Sequence, residues 1–269
     1  MSALVFRTLH AGPGLLMLPN AWDAGSARLI ESLGAKAIAT TSAGLAWSRG
    51  YPDGNALPGD RLIAATRDIV RAIRVPLSVD IEAGYSDDAR AVARLAVDIL
   101  QVGAVGINIE DGADSPDLLC KKIEAVRESA AHSGVDLFVN ARTDVYLRGI
   151  ACGDAAAEEV IDRAARYRIA GCDGLFVPGL SEGGAMAAIA AAIKPMPLNV
   201  MAVPGLPSVE ALRNYGVRRV SAGSAIAQAA LHCAHRLAAG FLAGAMDEMF
   251  GAVEEYGALN KLFAGNTHD

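Results

Sequence analysis

Eight times over, this chain sets an apolar run of strand length before an amphipathic helical pattern, and that alternation leaves few folds open. The strand-like runs fall at 15–19, 36–41, 76–79, 104–109, 136–140, 174–177, 197–201 and 217–221. Helical patterns follow through Leu33 and over 60–73, 87–102, 116–132, 154–170, 182–193, 207–214 and from Gly223 to about Gly240, often closed by Gly. Strands that alternate with helices form a parallel sheet. Eight such units predict a closed (β/α)₈ TIM-type barrel, which typically needs about 250 residues. A doubly wound open sheet would want a GxGxxG turn after its first strand, where this chain has Leu18-Pro19-Asn20-Ala21-Trp22-Asp23 instead. The chain is expected to be one barrel over 1–241. Residues 242–269 would be a helical extension of the same domain, with a further amphipathic helix near 245–262.

The ends of those strands carry the chemistry. Period-two alternation puts Asp80 and Glu82 on one side of an extended segment that closes at Gly84. Reading the other ends in order gives Ser42, Glu110 with Asp111, Arg142 with Asp144, Asn199 and Ser221, with Asp53 in the loop after the second strand. Barrel active sites are built at this face. So many carboxylates at one mouth repel each other unless a cation intervenes, and hard cations take oxygen ligands. Mg²⁺ is the expected ion, with Mn²⁺ as its substitute. Arg142 is the expected anchor for a small-molecule carboxylate, because its planar fork matches that group.

Composition narrows the partners. A net charge of −6 and an isoelectric point near 5.4 argue against nucleic acid and anionic membranes. Cys120, Cys152, Cys172 and Cys233 show no CxxC spacing and read as reduced packing residues. The first residues lack a signal-peptide core and no uncharged run reaches membrane-spanning length, so a soluble cytoplasmic protein is expected. Lys121 and Lys122 read as a solvated helix start.

Four ordered stretches resemble the signatures of the isocitrate lyase/phosphoenolpyruvate mutase superfamily. They are Gly50-Tyr51-Pro52-Asp53, Val79-Asp80-Ile81-Glu82-Ala83-Gly84-Tyr85, Ile107-Asn108-Ile109-Glu110-Asp111 and Asn140-Ala141-Arg142-Thr143-Asp144. The resemblance implies that Asp80 contacts Mg²⁺ and that Asp53, Glu82 and Glu110 hold metal-bound water. Arg142, Asn199 and the Ser42-Ala43-Gly44 loop would bind substrate, and Asp53, Glu110 and Arg142 would serve catalysis. The usual residue at position 82 is Asp, and Glu keeps the charge on a longer arm. Superfamily chemistry breaks or makes a C–C or C–P bond beside a 2-keto or enolpyruvate group. Isocitrate and methylisocitrate lyases carry a Lys-Lys/Arg-Cys-Gly-His loop where this chain has Gly112-Ala113-Asp114-Ser115-Pro116-Asp117, and the phosphonomutase gating loop is equally unrecognisable there. What remains resembles the oxaloacetate decarboxylase and acetylhydrolase branches. The expectation is therefore a Mg²⁺-dependent carbon–carbon lyase or decarboxylase on a small 2-keto or 2-hydroxy carboxylate. Phosphonopyruvate hydrolysis or mutation is the alternative, and a non-catalytic keto-acid-binding protein is the alternative of another class. Apolar residues in the C-terminal stretch (Met246, Met249, Phe250, Val253, Leu259, Leu262, Phe263) exceed what one barrel covers. With the superfamily's exchange of C-terminal helices, they imply a homo-oligomer, dimer or tetramer.

Overall fold

A single proline shapes how the sheet closes. In the computed structural model, which describes residues 3–12, 14–251 and 253–264, Pro19 divides the first strand into β1 (Leu16–Leu18) and β2 (Asn20–Ala21). Proline lacks an N–H for a sheet ladder, but its carbonyl still accepts from Ala39 N–H at 3.0 Å. The other strands are β3 (Ile38–Thr40), β4 (Leu77–Asp80), β5 (Gly106–Glu110), β6 (Phe138–Arg142), β7 (Gly174–Val177), β8 (Leu198–Met201) and β9 (Val217–Ser221). All pair in parallel in the order β1-β9-β8-β7-β6-β5-β4-β3-β2. Because β1 pairs with β9 and β2 with β3, the two halves of one strand join the ends of the sheet, and the fold is the expected TIM-type barrel.

The strands turn apolar side chains outward to the helices and, above an apolar layer of Leu16, Leu18, Ala39 and Phe138 at the bottom of the barrel, polar ones inward. Leu77, Val79, Ile107, Ile109, Val139, Leu175 and Val200 are buried in the main core with the helices. By alternation Ser78, Asp80, Asn108, Asn140, Asn199 and Arg219 point into the barrel, and all are buried. The surrounding helices are α2 (Ala24–Ser32), α4 (Gly59–Ala72), α5 (Ala89–Gln101), α6 (Pro116–His132), α7 (Gly153–Ala170), α8 (Gly183–Ala192) and α9 (Val209–Asn214). Their starts are legible: Asp88 and Ser115 cap α5 and α6, and Pro116 takes the first position of α6.

Two short helices lie outside the expected pattern. Ser42–Trp47, read as the start of a loop, coils into α3. Ala3–Ala11 forms α1, which plugs the bottom of the barrel. Phe6 meets Phe138 edge-on, His10 stacks on the same ring, and Arg7 pairs with Asp136 and Asp173. Gly106 makes room for the plug, since a Cβ there would lie 3.0 Å from Phe6 and 3.2 Å from the Phe138 carbonyl. With the bottom closed, only the strand ends that carry the acids remain open.

The C-terminal region departs further. The stretch near 245–262 is not one helix: a 3₁₀ turn (Asp247–Phe250) precedes α11 (Tyr256–Ala264). Gly244, at φ +84°, ends the preceding helix, and residues 253–255 are not helical. That preceding helix, α10 (Ala225–Leu242), stands off the barrel with Ala227 as its one buried residue. Outside β1 and β9, where the eighth helix of a barrel would sit, lies an apolar groove of about 720 Å³ lined by Leu9, Met17, Ile30, Leu33 and Val220. Among the described residues no helix is long and apolar enough to cross a membrane.

Candidate active site

Asp80 ends β4 and sits under the mouth, 8% exposed. Its backbone N–H donates to Thr40 Oγ1 at 2.8 Å, and its Oδ1 accepts the Glu82 N–H at 3.0 Å. The chain then turns sharply: Glu82, Gly84 and Tyr85 all take positive φ (50°, 91° and 58°). Left-handed backbone costs on the order of 1–3 kcal/mol at a non-glycine residue, so Glu82 and Tyr85 stay there only because the surroundings hold them. The Tyr85 hydroxyl donates to Glu82 Oε1 at 2.9 Å, and the Asn55 N–H donates to Oε2. This turn aims Glu82 back toward the mouth despite its extra methylene.

On the next strands, Glu110 and Arg142 are register partners. Arg142 Nη1 meets Glu110 Oε2 at 2.7 Å, while Nε and Nη2 grip both oxygens of Asp144 at 2.7 and 3.0 Å. The guanidinium lies 5.8 Å from the centre of the Phe176 ring. Asp144 is a participant to which sequence reasoning gave no role, although its i+2 spacing from Arg142 was visible. Tyr85 stood in a signature stretch without a role, and Asn55 and Thr40 carried no signal, because their contacts depend on how segments of different units meet.

The electrostatics are those of an under-neutralised acid cluster. Burial pushes Asp80 above the usual carboxylate range, opposed by Arg142 and reinforced by Asp53. Burial also raises Glu82, against the Asn55 and Tyr85 hydrogen bonds. Glu110 is pushed up to about 8, mainly by burial, with Arg142 opposing and Asp80, Asp144 and Glu82 adding to the rise. Burial works against the charge of Arg142, but Glu110 and Asp144 outweigh it and hold that guanidinium firmly protonated.

The remaining expected residues are placed differently. Asp53 is exposed on the loop beside Asn55, close enough to raise Asp80 and Glu82. Ser42, Ala43 and Gly44 form the first turn of α3, and Gly44 is needed for packing: a Cβ there would meet Thr41 at 2.8 Å and Ala227 at 2.9 Å. Asn199 is spent inside the barrel. Its Nδ2 donates to the Val200 and Arg219 carbonyls and to Ser221 Oγ, and its Oδ1 accepts from Asn140 at 3.1 Å. It orients Asn140 and does not offer a donor at the mouth. Asp111 faces outward, opposite to Glu110, and binds Arg163 at 2.8 Å, the Tyr167 hydroxyl at 2.6 Å and the Asp144 N–H at 2.9 Å. It joins α7 to the strand end and does not belong to the mouth.

Among the described residues no three His, Cys, Asp or Glu side chains converge closely enough to enclose a metal ion. The donor set fits a hard cation in another way. All donors are oxygens, Asp80 lies at the centre of the group where a cation would bond it directly, and Glu82 and Glu110 would reach that cation through water. Magnesium sites commonly have that composition, one or two carboxylates plus waters.

The chain is similar to known proteins over most of its length. The family profile described as phosphoenolpyruvate phosphomutase matches residues 6–242. The chain is 38% identical over 234 residues to an uncharacterised protein of Mycobacterium tuberculosis H37Rv, covering 85% of both chains. It is 31% identical over 199 residues to an oxaloacetate decarboxylase of Rhodopseudomonas palustris, covering 69% of this chain and 66% of that one. The crystal structure of a candidate lyase/mutase from Burkholderia cenocepacia J2315 superposes with a TM-score of 0.87 at 35% identity, covering 97% of this chain and 95% of the other.

Proposed function

Because the chain belongs to the phosphoenolpyruvate phosphomutase family of lyases and mutases, we propose that it is a Mg²⁺-dependent lyase of the decarboxylase type acting on a small 2-keto carboxylate such as oxaloacetate. The observation that carries this reading is that Asp80, Glu82 and Glu110 share one mouth, each raised by burial and by acidic neighbours, beside an arginine bridging Glu110 and Asp144. Such a cluster suits a doubly charged cation and an anionic substrate together.

Asp80 would hold the cation directly, with Asp53, Glu82 and Glu110 in its water shell. When bound, the cation supplies Lewis-acid stabilisation of the negative charge that develops on the keto oxygen as the neighbouring bond breaks. Arg142 orients the substrate carboxylate; three of its five N–H donors serve Glu110 and Asp144, which leaves two for a ligand. Glu110, whose carboxyl burial and acidic neighbours push up to about 8 in the metal-free protein, would be the group at the mouth that returns a proton to the product carbon. The first turn of α3 borders the substrate. The segment from Gly112 to Ser115 is only four residues long before α6 begins, too short for an extended gating or Cys-bearing loop. That favours a decarboxylase over isocitrate-type cleavage.

Phosphonopyruvate chemistry is the second reading, favoured by the description of the family profile, because it uses the same cation and arginine. Pyruvate release coupled to lactate dehydrogenase, from oxaloacetate and from phosphonopyruvate with and without EDTA, tests both. Metal-dependent release from oxaloacetate supports the first; phosphate from phosphonopyruvate supports the second. Tight binding of either compound without turnover would instead mean a keto-acid-binding protein.

The chain works as a homo-oligomer, a dimer or tetramer. Met17, on the outer face of β1, is 52% exposed where a barrel helix normally covers it, while Leu231, Phe241 and Leu242 of α10 are 49%, 52% and 85% exposed. Seating α10 of a second copy in the groove over β1 and β9 would cover both surfaces. A monomer mass by light scattering would contradict this.

A further inference from the structure

Three successive carbonyls of the turn that carries Glu82 are hydrogen-bonded. Ile81 O accepts from Gly84 N–H at 2.8 Å, and Glu82 O accepts from Glu110 N–H at 3.0 Å. Ala83 O accepts from the Nζ of Lys122, also at 2.8 Å. The first two are local or sheet-like bonds. The third comes from α6, 39 residues along the chain, and from a charged group. Lys122 is only 2% exposed, where the sequence pattern led us to expect a solvated lysine. Among the described residues its one ion-pair partner, Asp87, lies 3.8 Å away and is itself 88% exposed.

Burying an ammonium is costly, and an exposed carboxylate at that distance offsets little of it. A buried methionine or leucine would pack α6 against the barrel more cheaply. What the lysine adds is a charge-assisted hydrogen bond to one carbonyl, at the centre of a turn whose residues 82, 84 and 85 are all left-handed. The turn is pressed from another side too, since a Cβ at Gly84 would come within 2.7 Å of Val92 on α5.

We propose that Lys122 is a positioning residue for the acidic mouth: its buried ammonium, bonded to the Ala83 carbonyl, fixes the left-handed turn that aims Glu82 at the cation. This deepens the functional reading above and rests on it for the role of Glu82. The geometric part concerns the turn alone and stands apart from any activity.

The test compares wild type with Lys122→Met, which keeps the length and apolar stem without the donor, and with Lys122→Arg, which keeps charge and donors. Hydrogen exchange at the amides of residues 82–85, without metal, should speed up at least about tenfold in Lys122→Met while α6 amides stay as in wild type. Mn²⁺ affinity, read by electron paramagnetic resonance, should fall about tenfold in the same variant and recover to within about threefold in Lys122→Arg. If Lys122→Met does not fold, Lys122→Gln, whose amide is too short to make the same bond, is expected to loosen the turn in the same way. Unchanged exchange at 82–85, or loosening spread evenly through α6, would overturn the proposal. A wild-type chain that binds no Mn²⁺ would refute the metal reading instead, and the exchange data would still decide whether Lys122 holds the turn.

Discussion

Asp111→Asn separates the acids that build the fold from those that serve the mouth. Asp111 is 1% exposed, and its Oδ2 accepts from Arg163 Nη1 at 2.8 Å and from the Tyr167 hydroxyl at 2.6 Å. Its Oδ1 accepts the Asp144 N–H at 2.9 Å. The asparagine keeps the shape and can still accept from Asp144. Its amide nitrogen would face two donors, and Arg163 would be left with Glu159 as its only carboxylate. Hydrogen bonds to charged groups contribute roughly 1.5–3 kcal/mol each, and breaking a buried pair from one side costs about 3–5 kcal/mol. For a chain of this size 1 kcal/mol moves the melting temperature by roughly 2–4 °C, so a drop of about 10 °C is expected. Calorimetry measures it directly, and kinetics well below the transition should show kcat/KM within about threefold of wild type. An unchanged melting temperature would refute the structural role, and a loss of activity as large as that of an Asp80 variant would place Asp111 in the mouth after all.

Other outcomes follow from the same site. The folded pKa of Glu110 lies above its unfolded value, so its contribution to stability is complete below about pH 4.5 and is lost as pH rises through about 8. Metal-free protein should therefore melt at lower temperature at pH 8.5 than at pH 6. Metal binding should release protons between those pH values, measurable by calorimetry in buffers of different ionisation enthalpy; no buffer dependence would contradict the raised pKa. Arg142→Lys loses the two-pronged grip on Asp144 and is expected to raise KM for the keto acid about tenfold to a hundredfold, equivalent to about 1.4–2.8 kcal/mol. An unchanged KM would remove Arg142 from substrate contact.

The barrel was legible because each strand is short, apolar on its outward positions and punctuated by a turn. Alternation alone also places Asp80, Glu110 and Arg142 at strand ends. The same rule, applied one residue further, distinguishes Asp111 from Glu110, since adjacent residues face opposite sides of a strand. Residues whose position depends on distant packing were not legible. Lys122 looks like any helix-start lysine until α6 is laid against the turn at Ala83. Asn199 is the second residue of β8, two before its C-terminal end, so its side chain lies within the barrel, where it accepts from Asn140. The N-terminal plug depends on Phe138 and on the space left at Gly106, which lie far along the chain from α1. The C-terminal stretch is not one helix because Gly251 ends the 3₁₀ turn before α11 begins, a break that the apolar spacing alone does not reveal.

The most direct measurement of the central claim is the metal-dependent release of pyruvate from oxaloacetate by wild type and by Asp80→Asn, above the uncatalysed rate. Asp80 supplies the carboxylate assigned to direct cation contact, so the account predicts turnover in wild type that EDTA abolishes and Mg²⁺ restores. It predicts a fall of at least about a hundredfold in Asp80→Asn, with the melting temperature in EDTA little changed or raised, because burial already disfavours the charge that the variant removes. Full EDTA-sensitive activity in Asp80→Asn would contradict the assignment of the cation to this carboxylate.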